Sequence, residues 1–233
     1  MVEEPAEWDE VFIAAQAARL SEIAARRGRY LLGIAGIPGS GKSTLAEQLW
    51  RQVEKMTPGV ARLVPMDGFH LTNRRLDELG LRDRKGAPHT FDSEGLVKLL
   101  RAARDPTRTI RFLVYDRRVH EPVMTGREEQ VISPRTRLVI TEGNYLLMNR
   151  EPWRRIRLLL DESWWLQTPL EIAKRRLIAR RIHGGCSRQQ AQTLYEGNDA
   201  LNARLVRDES VAADLIVRSC DERGSGRYCR GLE

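Results

Sequence analysis

Apolar residues along this chain occur either in short continuous runs or at helical spacing, and the two patterns alternate. Short runs are typical of buried strands, whereas apolar residues three or four positions apart are typical of amphipathic helices. The runs predict strands at the segments "YLLGIAG", "ARLVPMD", "TIRFLVYD", "TRLVITEG", "SWWLQT" and "AADLIVRS". The helical spacing predicts helices at residues 7–27 and at "GKSTLAEQLWRQVEKM", "DSEGLVKLLRAAR", "PLEIAKRRLIARRI" and "SRQQAQTLYEGNDALNARLV", the last broken at Gly197.

The alternation of strands and helices indicates an α/β fold. Such an order is typical of a parallel sheet with helices on both faces. Because no internal repeat or low-complexity linker interrupts the chain, we expect a leading helix within residues 1–28, one domain over residues 29–218 and a disordered tail over residues 219–233. Ligands of open α/β sheets bind at the carboxyl ends of the strands, so the residues that follow the strands are the first candidates for a site.

The composition is that of a soluble globular protein, with 41% apolar and 30% charged residues among 233. The apolar runs are too short to span a bilayer and the acidic start "MVEEPAEWDE" does not resemble a signal peptide, so we expect a cytoplasmic protein without a membrane partner. The net charge is +7, and only five of the 39 basic residues are lysines. An excess of arginine suits either nucleic acid or a site for anionic phosphates. Because the basic residues are interleaved with acids and follow no repeat, nucleic acid is the less favoured partner.

The segment "GIPGSGKST" lies between a predicted strand and a predicted helix, and its first eight residues fit the phosphate-loop pattern G-x-x-x-x-G-K-[ST]. Its glycines let backbone N–H groups point at phosphate oxygens, and the following helix adds its positive N-terminal end. Lys42 is expected to reach the β- and γ-phosphates, and the Ser43 hydroxyl to bind Mg²⁺. The expected ATP-binding residues are Gly36, Pro38, Gly39, Ser40, Gly41, Lys42, Ser43 and Thr44.

Two acidic residues stand at the ends of later predicted strands. Asp67 lies 25 residues after Lys42, where a carboxylate can take the proton of an acceptor hydroxyl during in-line phosphoryl transfer. Glu142 ends "LVITE", the position at which P-loop proteins hold Mg²⁺ or order an acceptor. Each acid also has a plainer interpretation as a turn residue before a glycine. The chain lacks the N-K-x-D string of GTPases and the L-S-G-G-Q string of transporter ATPases, which favours a kinase.

The segment "KRRLIARRIHGG" places Arg176 and Arg180 four residues apart, and therefore on one helix face. An arginine helix that closes over a triphosphate would supply positive charge to the transferring group. The alternative is an ordinary solvated basic face. The glycine pair Gly184–Gly185 either hinges such a lid or ends the helix.

On these residues the chain resembles the superfamily of uridine kinases, phosphoribulokinases and bacterial pantothenate kinases, over residues 30–217. "GIAGIPGSGKST" is similar to that superfamily's phosphate loop, and "MDGFHLTNRRLDELGLRDRKGAPHTFD" resembles the stretch after the second strand in bacterial pantothenate kinases. "YDRRVHEPV" is similar to the Y-D-F-x-x-H acceptor segment of uridine kinases. "EGNYLL" and "GNDALNARL" most resemble a bacterial nucleoside kinase-like branch, often labelled fructose transport system kinase.

The resemblance implies a P-loop NTPase-type fold with an arginine-bearing helical lid, and an ATP:alcohol phosphotransferase that uses Mg²⁺. It implies Asp67 as the general base, Lys42 on the nucleotide, and Ser43 with Glu142 at the metal. The implied catalytic residues are Asp67, Lys42, Arg176 and Arg180. The implied acceptor pocket is lined by Asp67, His70, Lys85, Tyr115, Arg117, His120 and Asn144. Related kinases are often dimers or tetramers, so a homo-oligomer is compatible with the resemblance.

The acceptor stays open at this point, because the chain departs from each relative. "DGFH" stands where uridine kinases have D-S-F-Y, and "YDRR" stands where pantothenate kinases have a Y-S-H pattern. Arg117 and Arg118 suit the phosphorylated sugar of phosphoribulokinases, but the surrounding match is poor. The small-molecule alcohol substrate is therefore a sugar, a nucleoside or a pantothenate-like alcohol. Two other hypotheses compete with a kinase: an ATPase or sensor that transfers phosphate only to water, and an RNA-binding protein.

Overall fold

The structure is a computed structural model that describes residues 6–26 and 28–219. In chain order, its strands are β1 Ala6–Glu7, β2 Tyr30–Ala35, β3 Ala61–Pro65, β4 Ile110–Arg111, β5 Val114–Asp116, β6 Glu121–Val123, β7 Val131–Ile132, β8 Leu138–Gly143, β9 Glu162–Gln167 and β10 Leu215–Arg218. Its α-helices are α1 Glu10–Arg26, α2 Lys42–Met56, α3 Asn73–Glu78, α4 Ser93–Ala103, α5 Arg154–Arg157, α6 Leu170–His183, α7 Arg188–Leu194 and α8 Ala200–Glu209. Within the described ranges, no helix is long and apolar enough to cross a membrane. Residues 220–233 of the predicted tail lie outside those ranges.

Six strands form one parallel sheet in the order β1–β10–β9–β2–β8–β3, which confirms the predicted α/β fold. β2 lies between β9 and β8, and β8 separates it from β3. Ala35 at the end of β2 pairs with Gly143 of β8, and Pro65 at the end of β3 pairs with Glu142. The segments that follow β2, β8 and β3 therefore start side by side at one edge of the sheet.

Helices cover both faces of the sheet. Leu32 of β2 packs in a layer with α1 and α2, whereas its neighbour Leu31 packs in a layer with α4 and α8. This alternation follows from the period of two along a strand. The adjacent tryptophans of β9 divide in the same way, because Trp164 belongs to the first layer and Trp165 packs against the second. The apolar runs of the sequence are thus strands buried on both sides.

The segment "TIRFLVYD" forms no strand of the parallel sheet, so that part of the prediction was wrong. It divides into β4, which pairs with β7, and β5, which forms an antiparallel hairpin with β6. Phe112, between the two, is buried in the core, while Leu113 is exposed. The apolar pattern of this segment correctly indicated extended backbone, but it did not show which strand the backbone pairs with. The hairpin instead lies against the turn that follows β3.

The leading segment and the last long helix also differ from the simplest expectation. β1 pairs with β10, so residues before α1 extend the sheet. Arg19 of α1 donates to both carboxylate oxygens of Glu162 in β9, at 2.7 and 3.0 Å. The predicted break at Gly197 is a π-helical turn, Tyr195–Asp199, that joins α7 to α8 without ending the helix.

A buried arginine holds together the loops at the opposite edge of the sheet. Arg29 precedes β2 and is only 5% exposed. Its guanidinium donates to six backbone carbonyls at 2.8–3.4 Å, those of Ala103, Asp105, Pro106, Arg108, Ser133 and Thr136. One side chain thereby satisfies carbonyls from the two segments that follow α4 and β7.

Candidate active site

The phosphate loop connects the end of β2 to the start of α2. Gly39 and Gly41 have φ angles of 80° and 100°, which glycine adopts without strain. Gly39 also lies close to α6, because a Cβ at this position would be 2.6 Å from the Ala173 carbonyl oxygen. α2 begins at Lys42, so its positive N-terminal end faces the loop. The loop thus has the form that the phosphate-binding pattern requires.

Lys42 and Glu142 are both buried, with 9% and 5% of their surface exposed. Burial lowers the pKa of Lys42, while the carboxylates of Glu142 and Asp67 raise it. Burial raises the pKa of Glu142 to about 7, while the Lys42 ammonium draws it down. The Ser43 hydroxyl lies close enough to the Glu142 carboxylate to lower the pKa of that group as well. Charges held together away from water interact strongly with one another and with an incoming phosphate.

Ser43 and Glu142 together suit a magnesium ion. Mg²⁺ prefers oxygen ligands and is commonly held by one or two carboxylates plus substrate phosphates and water. Within residues 6–26 and 28–219, no group of three or more His, Cys, Asp or Glu side chains could hold a metal ion by itself. The donor set therefore fits a metal that arrives with a nucleotide, and Ser43 with Glu142 would hold it.

Asp67 lies in a short 3₁₀ turn, Met66–Phe69, directly after β3. The register of β3 and β8 brings this turn next to Glu142. The Asp67 carboxylate acts on the pKa of Lys42, of Glu142 and of Tyr115 in the hairpin, raising each of them. Asp67 is therefore placed between the phosphate loop on one side and the hairpin β5–β6 on the other.

Gly68 allows the hairpin to approach this turn. A Cβ at Gly68 would lie 2.0 Å from the Leu113 carbonyl oxygen and 2.9 Å from its carbonyl carbon. These atoms belong to the backbone that enters β5, so they cannot move aside as a flexible side chain would. The "DG" pair therefore reflects backbone packing, and the glycine fixes how close β5 comes to Asp67.

His70 and Tyr115 pack together beside the Asp67 turn, where the resemblance implies the acceptor pocket. The His70 ring lies between Phe91 and Tyr115, with ring centroids 4.0 and 4.6 Å away. His70 Nδ1 donates to the Asp67 backbone carbonyl oxygen at 2.8 Å. Burial lowers the pKa of His70, with the Asp67 carboxylate opposing, and burial raises the pKa of Tyr115 to about 12. A neutral imidazole and a neutral phenol are thus the stable forms near pH 7.

Lys85 links the two segments that border this pocket. Its ammonium donates to the Asn73 Oδ1 atom at 2.6 Å and to the His120 carbonyl oxygen at 2.5 Å. It also lies 5.3 Å from the centre of the Tyr115 ring. Burial lowers the pKa of Lys85, and the Glu121 carboxylate opposes this. Lys85, Tyr115 and His120 are therefore neighbours, as the resemblance implied.

Comparison with known proteins identifies the family. No protein-family model matches the chain. It is 39% identical over 193 residues to the uncharacterized protein YggC of Escherichia coli K12, covering 82% of this chain and 77% of that protein. It is 31% identical over 212 residues to a Schizosaccharomyces pombe protein named "Putative uridine kinase C227.14", covering 86% and 87%. A "putative fructose transport system kinase" of Silicibacter sp. TM1040 has a TM-score of 0.78 and 36% identity, covering 88% of this chain and 98% of that one.

The chain belongs to the P-loop kinases. The resemblance to uridine kinases and to the fructose transport system kinase branch is confirmed. With a phosphoribulokinase of Rhodobacter spheroides, 14% identical with a TM-score of 0.50, the chain shares the fold. In this P-loop kinase the phosphate loop follows β2, Glu142 lies near the end of β8 and Asp67 follows β3, and these three strands are adjacent in the sheet.

The two arginines of the expected lid have different surroundings in this P-loop kinase. Arg176 donates to the Ser40 carbonyl oxygen at 2.8 Å and to the Ser219 hydroxyl at 3.1 Å, so it lies against the phosphate loop itself. Arg180, one turn later, acts electrostatically on Lys42, as does Arg117 of the hairpin. Asn144 follows β8, and its Oδ1 atom is buried without a hydrogen-bond partner. The resemblance implied a place in the site for four of these residues, and each lies near the phosphate loop or the strand ends: Arg117, Asn144, Arg176 and Arg180.

Sequence reasoning missed the contribution of "GND", which forms the end of the π-helical turn. Asn198 Nδ2 donates to the Lys85 carbonyl oxygen at 2.7 Å, and Asp199 forms an ion pair with Arg181 at 2.6 Å. In this P-loop kinase Asn198 therefore supports the loop that carries Lys85, and Asp199 links the same turn to α6. A signal was present, since asparagine and aspartate are unfavourable inside helices and favour local or tertiary hydrogen bonds.

Proposed function

We propose that this P-loop kinase transfers the γ-phosphate of ATP to a hydroxyl group of a small molecule, with Asp67 as the general base. The observation that carries the proposal is the position of Asp67, between the phosphate loop and a pocket bordered by His70 and Tyr115. A carboxylate at this point faces both the transferring group and the acceptor. In-line transfer to an alcohol requires that arrangement.

Each residue of the site has one task in the proposed reaction. The loop N–H groups and Lys42 hold the phosphates, and Ser43 with Glu142 holds the metal. Mg²⁺, when bound with the nucleotide, supplies positive charge to the β- and γ-phosphate oxygens. Asp67 accepts the proton of the acceptor hydroxyl, while the oxygen of that hydroxyl forms a bond to the γ-phosphorus and the bond from that phosphorus to ADP breaks. Arg180 offsets the negative charge that spreads over the transferring oxygens.

The pocket favours a compact polar alcohol. The Tyr115 ring packs against His70 and lies near the Lys85 ammonium, so an aromatic and a positively charged group border the acceptor. Arg117, His120 and Asn144 supply charge and hydrogen-bonding groups around it, and the buried Oδ1 atom of Asn144 can accept a hydrogen bond from a hydroxyl group. A sugar, a nucleoside and a pantothenate-like alcohol each fit this description.

A screen of ADP release against sugars, nucleosides, pantothenate and polyols tests the function. We expect at least one of these alcohols to stimulate ADP release and to become phosphorylated. With that acceptor, Asp67→Asn should lower kcat by about 10²–10⁴-fold, the usual contribution of a general base. Affinity for a non-hydrolysable ATP analogue with Mg²⁺ should stay within about threefold, because the phosphate loop is unchanged.

The matched control is Asp83→Asn, the same change at an exposed aspartate of the same segment. It should leave both quantities near the native values. Near-native turnover of Asp67→Asn would contradict the base assignment. Steady ATP hydrolysis that no alcohol stimulates would contradict the kinase proposal and favour transfer to water.

A further inference from the structure

The loop that carries Lys85 is held by residues distant in sequence. The Lys85 carbonyl oxygen accepts from Asn198 at 2.7 Å. The next carbonyl, of Gly86, accepts from the Tyr145 hydroxyl at 2.5 Å and from Asn202 Nδ2 at 3.3 Å. Gly86 itself has a φ of 99°, a conformation that glycine adopts without strain. The loop thus presents its ammonium to the pocket and its carbonyls to the helix behind.

The π-helical turn Tyr195–Asp199 also accepts a hydrogen bond from the segment that carries Lys85. Arg84, at the end of the preceding 3₁₀ turn, donates to the Gly197 carbonyl oxygen at 3.1 Å. That carbonyl is available because the helix widens here, and π-helical turns occur frequently at functional sites. Asn198 and Asn202, four residues apart, also contact each other at 3.3 Å. These bonds form a clamp, defined here as Asn198 and Asn202 with the carbonyls of Lys85 and Gly86.

Asp199, which follows Asn198 of the clamp, contacts the arginine helix α6. Asp199 Oδ2 lies 2.6 Å from an Arg181 guanidinium nitrogen, and the two side chains are 13% and 24% exposed. Burial raises the pKa of Asp199, and Arg181 opposes this, so the carboxylate depends on its partner. Adjacent helix residues point in different directions, which lets one turn face α6 with Asp199 and the Lys85 loop with Asn198.

Lys85 completes the path into the pocket. Its ammonium joins Asn73 to the His120 carbonyl and lies over the Tyr115 ring. The contacts therefore run without a gap from Arg181 through Asp199 and Asn198 to Lys85. α6 also carries Arg176, which holds the Ser40 carbonyl of the phosphate loop.

We propose that the π-helical turn couples the arginine helix α6 to the acceptor pocket, with Asn198 as the positioning residue for Lys85. This coupling rests on the proposed function, in which the bound nucleotide interacts with Arg180 of α6. Binding of the nucleotide orders the Lys85 loop and prepares the pocket for the acceptor. By reciprocity, the acceptor then strengthens nucleotide binding.

Hydrogen–deuterium exchange of the full chain tests the coupling without knowledge of the acceptor. The amides of Gly86, Ala87 and Thr90 are bonded within the loop, so the exchange of residues 84–92 reports its order. In the native protein, a non-hydrolysable ATP analogue with Mg²⁺ should slow exchange at residues 36–44 and also at residues 84–92. Asn198→Leu should speed exchange at residues 84–92 about fivefold without nucleotide, the factor expected for one lost hydrogen bond. Asn149→Leu, the same change at an exposed asparagine, should not.

Asp199→Asn separates coupling from simple support of the loop. It keeps the shape of the side chain and the clamp, but it removes the charge that faces Arg181. Exchange at residues 84–92 should equal the native rate without nucleotide, while the response of this segment to the analogue should disappear. The response at residues 36–44 should remain.

Three results would overturn the coupling. The first is a native protein in which the analogue protects residues 36–44 but not residues 84–92. The others are an Asp199→Asn variant that keeps the native response and an Asn198→Leu loop that exchanges at the native rate. Absence of protection at residues 36–44 would instead contradict nucleotide binding and the proposed function.

Discussion

Replacement of Gly68 by alanine tests whether backbone packing places the base. The new Cβ would lie 2.0 Å from the Leu113 carbonyl oxygen, whereas real Cβ contacts are essentially never under 3.0 Å. The turn that carries Asp67 and the backbone entering β5 must therefore separate by about 1 Å. A misplacement of about 1 Å can lower catalytic efficiency by about 10²-fold, and overpacking typically costs about 1–3 kcal/mol of stability.

We expect Gly68→Ala to lower kcat/KM for the acceptor by about 10²-fold, while the Kd of an ATP analogue changes little. For a domain of this size, the loss of stability corresponds to a fall in Tm of between about 2 and 12 °C. Turnover is measured by ADP release, affinity by titration and Tm by thermal denaturation. Gly28→Ala is the control, because a Cβ there meets nothing within 4 Å.

A Gly68→Ala protein with native kcat/KM and native Tm would refute the reasoning. It would show that β5 moves away without disturbing Asp67. Loss of nucleotide affinity together with turnover would also count against it, since the contact would then act through the phosphate loop and not through the pocket.

Three further variants probe the buried charges. The pKa of Glu142 is raised to about 7 from 4.5, so between these values the native protein binds more protons than the unfolded one and its stability falls as pH rises. This fall in the free energy of unfolding amounts to up to about 3 kcal/mol, and Glu142→Gln should remove it. The measurement is denaturant unfolding of the nucleotide-free protein at pH 5 and pH 7.5. Arg29→Lys leaves several buried carbonyls without a hydrogen-bond donor, so it should lower stability by about 3 kcal/mol and Tm by about 6–12 °C without changing nucleotide affinity. The control Arg26→Lys, at an exposed arginine, should change neither stability nor affinity. Arg176→Ala removes a charged donor from the Ser40 carbonyl and should raise the Kd of an ATP analogue about tenfold in a binding titration; an unchanged Kd would show that the loop keeps its shape unaided.

The parts of the site that the sequence predicted are those set by local rules. The phosphate loop is a strand, a glycine turn and a helix within a few residues, so its form is written in a continuous segment. Asp67 and Glu142 were found because acids at strand ends meet at one edge of a parallel sheet. The acceptor residues His70, Lys85, Tyr115 and His120 required the family resemblance, since no spacing rule joins them.

The remaining features depend on contacts between distant segments. Nothing near Gly68 in sequence shows that the Leu113 carbonyl lies against it. The partner of "TIRFLVYD" was missed because a half-buried hairpin and a sheet strand have the same alternating pattern. Asn198 carries a local hint, an asparagine inside a helix, but its acceptor, the Lys85 carbonyl, is 113 residues away.

The buried guanidinium of Arg29 has a consequence for how this kinase can diversify. It holds the loops at the amino-terminal edge of the sheet, while the groups proposed to meet the acceptor lie on loops at the other edge. Stability and selectivity are thereby encoded in separate regions of the chain. A mutational library restricted to the exposed positions of the hairpin β5–β6 and of residues 69–92 should change the preferred alcohol with little loss of folded protein, whereas replacements of Arg29 itself should lower the yield of folded protein without changing that preference.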